Sequence, residues 1–310
     1  MRFKGVDLNL LVALEILLQE ENVSRAAARM HVGQSAMSAA LARLRVHFDD
    51  ELLTVVGRRM VPTSLAEAMR EPLREAILHI ESVIEIDRSF NPLIAHRSFT
   101  VEIPDHLVPV LLPRLVRQLS VSGPNIRLEV RMPVGDPSPL LQKGEIDLVV
   151  TPSIYSDPAY VTEPLIRNDL VVVGWSENPA LKTQPDLETI QSLGQVIVKF
   201  DRIRLSSFLS AEQLSLYGGA GRTALIAPSF SSIPPTLVGT ALIAVLNRRL
   251  VNAMAQVLPL AVWELPIAMP LMDDVIMFHP MRKHDQGLGW LREQMREALA
   301  DISSSGAASS

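Results

Sequence analysis

The sequence contains no cysteine. This absence excludes a disulfide framework, a zinc–thiolate site, an iron–sulfur cluster and a cysteine nucleophile, and it fits a reducing compartment. Aromatic residues make up only 5% of the chain, so the expected core is aliphatic. With 310 residues, 48% of them hydrophobic, the chain is long enough for about two domains with buried cores.

The sequence also lacks an uninterrupted apolar segment of membrane-spanning length. Asp7 and Glu15 interrupt the apolar N-terminal segment, and no small-residue cleavage site follows it, so we expect an amphipathic helix rather than a signal peptide. The longest stretch without a charge lies between Arg222 and Arg248, and prolines break it. These features predict a soluble, cytoplasmic protein that has no membrane partner.

Motifs that would indicate an enzyme are missing. The glycines at positions 218, 219 and 221 do not have the Gly-x-Gly-x-x-Gly spacing, and the sequence has no phosphate-binding loop and no Gly-x-Ser-x-Gly elbow. His279 and His284 have no third ligand nearby in the sequence, so no metal site is expected. We therefore predict no catalytic residues and no cofactor, with an enzyme or a solute-binding protein as the rival interpretations.

Acidic residues are missing from one segment of an otherwise acidic chain. The net charge of −5, taken for the whole protein, argues against a nucleic-acid-binding function. Residues 1–62, however, hold 8 basic and 7 acidic residues, a net charge of +1, whereas the rest holds 21 and 27, a net charge of −6. No acid occurs from residue 22 to 48, and this segment contains four arginines: Arg25, Arg29, Arg43 and Arg45. The N-terminal part is therefore the candidate for DNA contact.

The N-terminal residues have the pattern of a helix-turn-helix. Apolar spacing predicts helices over residues 8–20, 25–30 and 34–48, with Ser24 as the N-cap of the second helix. A tight turn at Gly33 separates the second and third helices, and three alanines at 26–28 allow these helices to approach closely. The alternative is a three-helix packing element that has no role in nucleic-acid binding.

A hairpin and a long helix follow. Residues 51–63 predict two strands joined by a turn at Gly57, Arg58 and Arg59. We interpret this hairpin as a wing whose arginines bind phosphates or the minor groove, and the alternative is a solvated turn. A helix is predicted from Ser64 to residue 86, with Ser64 and Glu67 spaced as a capping box. Its apolar residues recur every three or four positions, which indicates a dimerising linker helix or, alternatively, packing against its own domain.

Beyond residue 96 the pattern changes to alternating strands and helices. Strands are predicted at 98–103, 126–131, 147–150, 170–173, 195–198, 223–226, 242–246, 262–265 and 275–278, with a closing helix at 287–301. The predicted domains are 1–63 (winged helix-turn-helix), 64–90 (linker helix), 91–301 (effector domain) and a disordered tail at 302–310. Within the effector domain, residues 97–166 and 272–301 form one α/β subdomain and residues 167–271 form the other.

Several sequence segments resemble the LysR-type bacterial transcriptional regulators over essentially the whole chain. The most specific are VSRAAARMHVGQSAMSAALARLRVHFDDELL, GRRMVPT, LLQKGEIDLVVTP and FHPMRKHDQGLGWLRE. The opening MRFKGVDLNLLVALEILL and the segment SFSSIPPTLVGTALIAVLNRRL resemble the branch that contains the NodD, LinR and PcpR types.

The resemblance implies a fold, a function and a set of partners. The fold is α/β with an N-terminal all-α winged helix-turn-helix, and its effector domain has two α/β subdomains similar to periplasmic binding proteins. The function is an activator that binds double-stranded promoter DNA, takes a small aromatic inducer between the subdomains, forms a homodimer or homotetramer and contacts RNA polymerase. The inducer can be phenolic, chloroaromatic, a hydroquinone or a flavonoid. A repressor or a ligand-independent regulator of the same fold stays the alternative.

The resemblance also implies the DNA contacts. Gln34, Ser35 and Ser38 match family positions that contact DNA, and glutamine pairs well with adenine. Many relatives have proline at the position of Ser35 and arginine or glutamine at that of Ala39. Ala39 cannot donate a hydrogen bond to a base, and it offers only an apolar contact to a thymine methyl. The complete set of predicted DNA-binding residues is Arg25, Gln34, Ser35, Ser38, Arg43, Arg58 and Arg59.

Candidate effector residues follow from the rule that ligands bind at the carboxyl ends of strands. We expect free N–H groups near Ser229 to receive an anion or phenolate, and Phe200 and Phe230 to pack on a planar ligand. Strand-end packing or capping is the alternative role of each residue. The predicted effector-binding residues are Pro104, Asp105, His106, Pro133, Thr151, Phe200, Asp201, Ser229, Phe230 and Ser231.

Overall fold

The computed structural model describes residues 2–3, 6–57, 59–85, 90–198, 222–270 and 272–304. The chain divides into two compact units, Met1–Arg88 and Ser89–Ser310, called here unit 1 and unit 2. Three residues predicted to bind DNA or effector, Arg58, Phe200 and Asp201, lie outside the described residues. No helix in the described part of the chain combines the length and the apolar character needed to span a bilayer.

Unit 1 contains the predicted helix-turn-helix and wing. Its elements are β1 (Arg2–Phe3), β2 (Val6–Asp7), α1 (Leu8–Glu20), α2 (Val23–Arg29), α3 (Gln34–Phe48), β3 (Leu53–Val56), β4 (Arg59–Pro62) and α4 (Ser64–Glu85). The prediction of Ser24 as the N-cap of α2 is wrong. Asn22 has extended backbone geometry, and its side chain accepts a hydrogen bond from the N–H of Arg25 at 2.9 Å, so the helix begins two residues earlier.

The start of α4 also differs from the predicted capping box. Thr63 Oγ1 accepts a hydrogen bond from the N–H of Ala66 at 3.2 Å and donates one to Asp50 Oδ1 at 2.6 Å. Ser64 is therefore the first helical residue and not the cap, so the pair of Ser64 and Glu67 is displaced by one position from capping-box geometry.

The core of unit 1 is aliphatic and includes part of α4. Leu14, Leu17 and Leu44 are completely buried, and the small side chain of Ala26 is buried where α2 meets the other helices. Ile77 and its neighbour one turn earlier, both from the apolar stripe of α4, belong to the same cluster. This part of the stripe therefore packs within its own unit, as the alternative interpretation of the linker helix expects.

Unit 2 is built from two five-stranded sheets. The first has the strand order β6-β5-β7-β14-β8 and the second has the order β11-β10-β12-β9-β13. The strands are β5 (Arg97–Glu102), β6 (Ile126–Arg131), β7 (Leu148–Pro152), β8 (Val161–Asn168), β9 (Leu170–Trp175), β10 (Gln195–Val198), β11 (Thr223–Ala227), β12 (Ile243–Asn247), β13 (Leu260–Glu264) and β14 (Met272–Phe278). The helices are α5 (Val108–Ser122), α6 (Ser138–Gln142), α7 (Leu187–Ser192), α8 (Ile233–Leu237), α9 (Arg248–Ala255) and α10 (Gln286–Ser304).

Most predicted strands of unit 2 lie within about three residues of an observed one, but β8 was not predicted. The parallel strands β5, β6 and β7 are followed along the sheet by β14, which is antiparallel to both β7 and β8. The chain crosses between the sheets twice, from β8 to β9 and from β13 to β14. Helix α10 continues to Ser304, so it includes the first residues of the predicted disordered tail.

A buried ion-pair cluster fixes the start of α10. Asp285 Oδ1 accepts hydrogen bonds from the N–H of Leu288 at 2.9 Å and from Arg97 Nη1 at 2.8 Å, and Asp285 Oδ2 lies 2.8 Å from Arg282 Nη2. Burial alone would raise the pKa of Asp285, but the hydrogen bonds and charges of the two arginines outweigh it and hold the pKa at about 2. The cluster ties α10 to β5 of the first sheet.

Candidate functional site

Helix α3 presents a polar face to solvent. Gln34, Ser35 and Ser38 are exposed, whereas Met37 and Leu41, on the opposite side of the same turns, are buried in the core of unit 1. This arrangement follows from the helical period, which separates the apolar and polar positions of the segment. The three polar residues predicted to contact DNA thus lie together on an accessible face.

Most arginines of the acid-free segment have carboxylate partners from outside it. Glu20 lies 3.2 Å from Arg25 and 3.0 Å from Arg29, and Glu51 lies 3.1 Å from Arg45. Sequence reasoning missed these pairs because the two glutamates fall just outside the segment but are adjacent to it in space. Of the four arginines, only Arg43 lacks a carboxylate within salt-bridge distance among the described residues.

The wing is a regular antiparallel hairpin. Val56 pairs with Arg59, and Gly57 has a φ of +65°, in the left-handed region that glycine adopts without strain. The side chain of Arg59 is exposed beside the tip. Val55 and Val56 are also exposed, by 71% and 62%, so the described part of the wing has an apolar as well as a basic surface.

Unit 2 contains a cleft of about 710 Å³ at the carboxyl ends of β5 and β7. Pro104, His106, Pro133 and Thr151 line it from the first sheet, and Phe230 lines it from the part of the chain that belongs to the second sheet. The His106 and Phe230 rings meet edge to face, with their centroids 5.7 Å apart. The structure thus places five of the predicted effector residues on one cleft.

The predicted anion site near Ser229 is already occupied by a side chain of the protein itself. Asp105 Oδ2 accepts a hydrogen bond from the backbone N–H of Ser231 at 2.7 Å. The expectation that this N–H is free for an external anion is therefore wrong, because the carboxylate of Asp105 already accepts its hydrogen bond. Ser229, Ser231 and Asp105 do not line the cleft described above.

A buried polar cluster at the cleft was not predicted from the sequence. Asp274 Oδ2 lies 3.1 Å from His106 Nε2 and 2.5 Å from Asn168 Nδ2, and Asp274 is only 2% exposed. Asn168 ends β8, the strand that the sequence pattern missed, and Asp274 lies near the start of β14, ahead of the predicted strand. Asn247, at the end of β12, also lines the cleft. A buried aspartate inside a strand gives no apolar signal, which explains why it was overlooked.

The electrostatics of the cleft disfavour an anionic ligand. Among the described residues that line it are three aspartates, and neither a lysine nor an arginine. Glu102, two residues before the cleft residue Pro104, is 3% exposed, and its burial raises its pKa although Arg131 acts in the opposite direction. In the described part of the chain, no three metal-ligating side chains are grouped so as to hold an ion. The geometry is that of a binding cleft with a planar apolar surface and a polar wall.

Comparisons with known proteins agree with this two-part organisation. The family described as "Bacterial regulatory helix-turn-helix protein, lysR family" matches residues 8–67, and the "LysR substrate binding domain" matches residues 95–300. Nodulation protein D 2 of Sinorhizobium fredii is 38% identical over 301 residues, which cover 96% of this chain and 96% of that protein. Nodulation protein D 1 of Bradyrhizobium elkanii is 36% identical over 304 residues, which cover 98% of this chain and 96% of that protein.

Solved structures show the same fold. A probable transcriptional regulator from Pseudomonas aeruginosa has a TM-score of 0.65 and 25% identity, and the match covers 95% of this chain and 97% of that one. Full-length OxyR from Pseudomonas aeruginosa has a TM-score of 0.71 and 17% identity, with coverage of 94% and 95%. Because both family descriptions match in succession and the likeness to relatives extends over nearly the whole length, the chain belongs to the LysR family of bacterial helix-turn-helix transcriptional regulators.

Proposed function

We propose that this protein is a transcriptional activator that binds promoter DNA through unit 1 and responds to a small aromatic inducer bound in the cleft of unit 2. The observation that carries the proposal is a cleft of about 710 Å³ that combines an aromatic surface, Phe230, with a buried polar wall around Asp274. This volume lies within the roughly 300–1,000 Å³ that is usual for small-molecule sites. The likeness to nodulation protein D 2 supports the same assignment.

The proposed DNA contact divides into base recognition and phosphate binding. Gln34, Ser35 and Ser38 read base edges from α3, because they form its exposed polar face. Arg43 and the wing arginines hold the phosphate backbone, which supplies affinity and not sequence preference. The ion pair of Arg25 with Glu20 reduces the share of Arg25 in this binding.

The proposed assembly is a homodimer or homotetramer that acts on RNA polymerase. One helix-turn-helix reads only a few base pairs, and a symmetric pair of them reads a dyad site with two-fold symmetry. Residues 1–62, which contain the helix-turn-helix and the wing, have a net charge of only +1. Such a low charge gives only weak nonspecific attraction to DNA. Tight binding is therefore favoured when two or more wings contact one DNA site, because each wing adds phosphate contacts.

A mobility-shift titration with the protein's own upstream DNA tests the DNA-binding part. We expect a retarded complex at low salt that competitor DNA of unrelated sequence does not remove at equal concentration. No complex at low salt would contradict the proposal. A promoter–reporter strain tests the response: added phenolic, chloroaromatic, hydroquinone or flavonoid compounds are expected to raise reporter output only when the regulator is present. Reporter output that falls when the regulator is present would instead indicate a repressor.

A further inference from the structure

Two loops of unit 2, one from each sheet, meet beside the cleft. The first loop follows β5 and contains Asp105 and His106, and the second follows β11 and contains Phe230 and Ser231. Asp105 Oδ2 accepts a hydrogen bond from the backbone N–H of Ser231 at 2.7 Å, and the rings of His106 and Phe230 are in edge-to-face contact. Two consecutive residues of one loop therefore contact two consecutive residues of the other.

Each loop is anchored in the core of its own sheet. Ile103 and Leu107, on either side of the first loop, are buried in the core cluster of the first sheet. Ala227 and Ile233, on either side of the second loop, are buried in a core cluster of the second sheet. Close packing at both ends leaves each loop little freedom to move away from its sheet. The hydrogen bond between the loops therefore links the two cores.

Apolar contacts also join the two sheets. Ala253 of α9, a helix buried against the second sheet, packs on the core of the first sheet. Ile154, between β7 and β8, packs on a core cluster of the second sheet. Apolar contacts are non-directional and allow packed elements to slide by small amounts, whereas a hydrogen bond requires a defined distance and angle. The bond of Asp105 thus fixes a relative position that the apolar contacts leave adjustable.

From these contacts we infer that Asp105 is a positioning residue of the cleft. Its side chain holds the loop of Phe230 against the first sheet, and in this way it fixes both the spacing of the two sheets and the place of the Phe230 ring opposite His106. Phe230 supplies the aromatic surface of the cleft, whereas Asp105 acts on it through the backbone of Ser231. The importance of this position for an inducer rests on the proposed function, but the positioning itself is measured without inducer or DNA.

The absence of cysteine makes the spacing of the sheets directly measurable. Val121→Cys on α5 and Ile226→Cys on β11 introduce one labelling site beside each sheet, at side chains that are 76% and 58% exposed. Electron double resonance then measures the distance between spin labels at the two sites in the full-length protein, diluted with unlabelled protein so that distances between chains are suppressed. In this labelled background, we expect Asp105→Ala to broaden the distance distribution and to move its mean by more than ~2 Å, the size of a small domain rearrangement.

A second measurement follows the ring of Phe230 itself. In protein labelled with para-fluorophenylalanine, the ¹⁹F signal of Phe230 is the one missing from Phe230→Leu. The frequency of this signal depends on the neighbouring His106 ring, so we expect Asp105→Ala to change it more than the other phenylalanine signals. Asp105→Asn keeps an oxygen that can accept the N–H of Ser231, and we therefore expect the native distance distribution and the native ¹⁹F signal for this variant.

The same hydrogen bond can be removed from the donor side. Ser231 is the second residue of a turn that is closed by a hydrogen bond from the Ile233 N–H to the Phe230 carbonyl at 3.1 Å. Proline is favoured at this position of a turn and has no N–H. Ser231→Pro should therefore reproduce both effects of Asp105→Ala, and it takes the place of that variant if Asp105→Ala does not fold.

The matched control is Asp186→Ala at the start of α7. Asp186 Oδ1 accepts a hydrogen bond from the N–H of Thr189 at 2.8 Å, so its loss removes a bond of the same kind within one helix, and both readouts should stay native. A distance distribution or a ¹⁹F signal that stays native in a folded Asp105→Ala protein would overturn the inference. Changes of equal size in Asp186→Ala or in Asp105→Asn would also overturn it. Failure of the proposed function is seen separately, in the mobility-shift and reporter assays.

Discussion

Replacement of Asp285 by asparagine isolates the energetic contribution of one buried charge in unit 2. Asparagine is a good helix N-cap, so it can still accept the hydrogen bond from the N–H of Leu288 that starts α10. It loses the negative charge that faces Arg97 and Arg282. Arg282 keeps a second carboxylate, Asp147, at 2.9 Å.

The pKa of Asp285 gives the magnitude. It lies at about 2 in the folded protein against 3.8 for an ordinary aspartate, a difference that corresponds to about 2 kcal/mol of stability at neutral pH. Because the folded-state pKa is below the unfolded one, this contribution is complete above the unfolded pKa and is lost as the pH falls from 3.8 towards 2. We therefore expect Asp285→Asn to cost about 2–3 kcal/mol at pH ~7, roughly half as much at pH ~3 and little at pH ~2.

Urea unfolding followed by tryptophan fluorescence measures this difference in the right unit, because all three tryptophans, at positions 175, 263 and 290, belong to unit 2. The matched control is Glu293→Gln on the same helix. Glu293 is 59% exposed and forms a surface pair with Arg296, so its loss should change the free energy of unfolding by less than about 0.5 kcal/mol. A cost for Asp285→Asn that is no larger than that of the control, or one that does not shrink in acid, would refute the reasoning.

The remaining predictions concern unit 1. Arg58→Ala should weaken binding to specific and unrelated DNA alike and reduce the salt dependence by about one phosphate contact, whereas Gln34→Ala should cost about 1–3 kcal/mol on the specific site only. Titrations of both variants on both DNAs at fixed salt check this, and an unchanged affinity for Arg58→Ala would contradict it. Asn22→Ala should lower the stability of unit 1 by about 1 kcal/mol in thermal unfolding, and Ser24→Ala should not, because Asn22 is the observed cap of α2; equal effects of the two would count against that assignment.

The elements that the sequence predicted well are those with a strong apolar period. The spacing of apolar residues placed α1 and α3 at their observed bounds, and β6 and β10 were also found at theirs. Each buries one continuous stripe or face, and burial of such a face is what a periodic pattern records. Capping was predicted less well: Asn22 and Thr63 each precede the expected cap, because serine, threonine and asparagine are chemically similar and only the backbone geometry decides between them.

The candidate sites depend on contacts in space that a pattern read along the chain does not record. Charge counted along the chain gave an acid-free segment with four arginines near the helix-turn-helix, but Glu20, just outside it, lies next to Arg25 in space. The strand-end rule brought His106 and Thr151 to the cleft, since it follows from topology. It did not find Asp274, because that residue comes from an antiparallel strand whose start, and not its end, meets the cleft.

The position of Asp274 connects recognition with the architecture of unit 2. It is hydrogen-bonded to Asn168, the last residue of β8 before the chain crosses to the second sheet, and it lies shortly after the point where the chain returns in β14. One hydrogen bond beside the cleft thus joins residues that lie close to the two crossings. Since Asp274 also contacts His106, a ligand that binds His106 acts on a cluster located where the two sheets are joined. The polar cluster beside the cleft is therefore directly connected to the segments that join the two sheets.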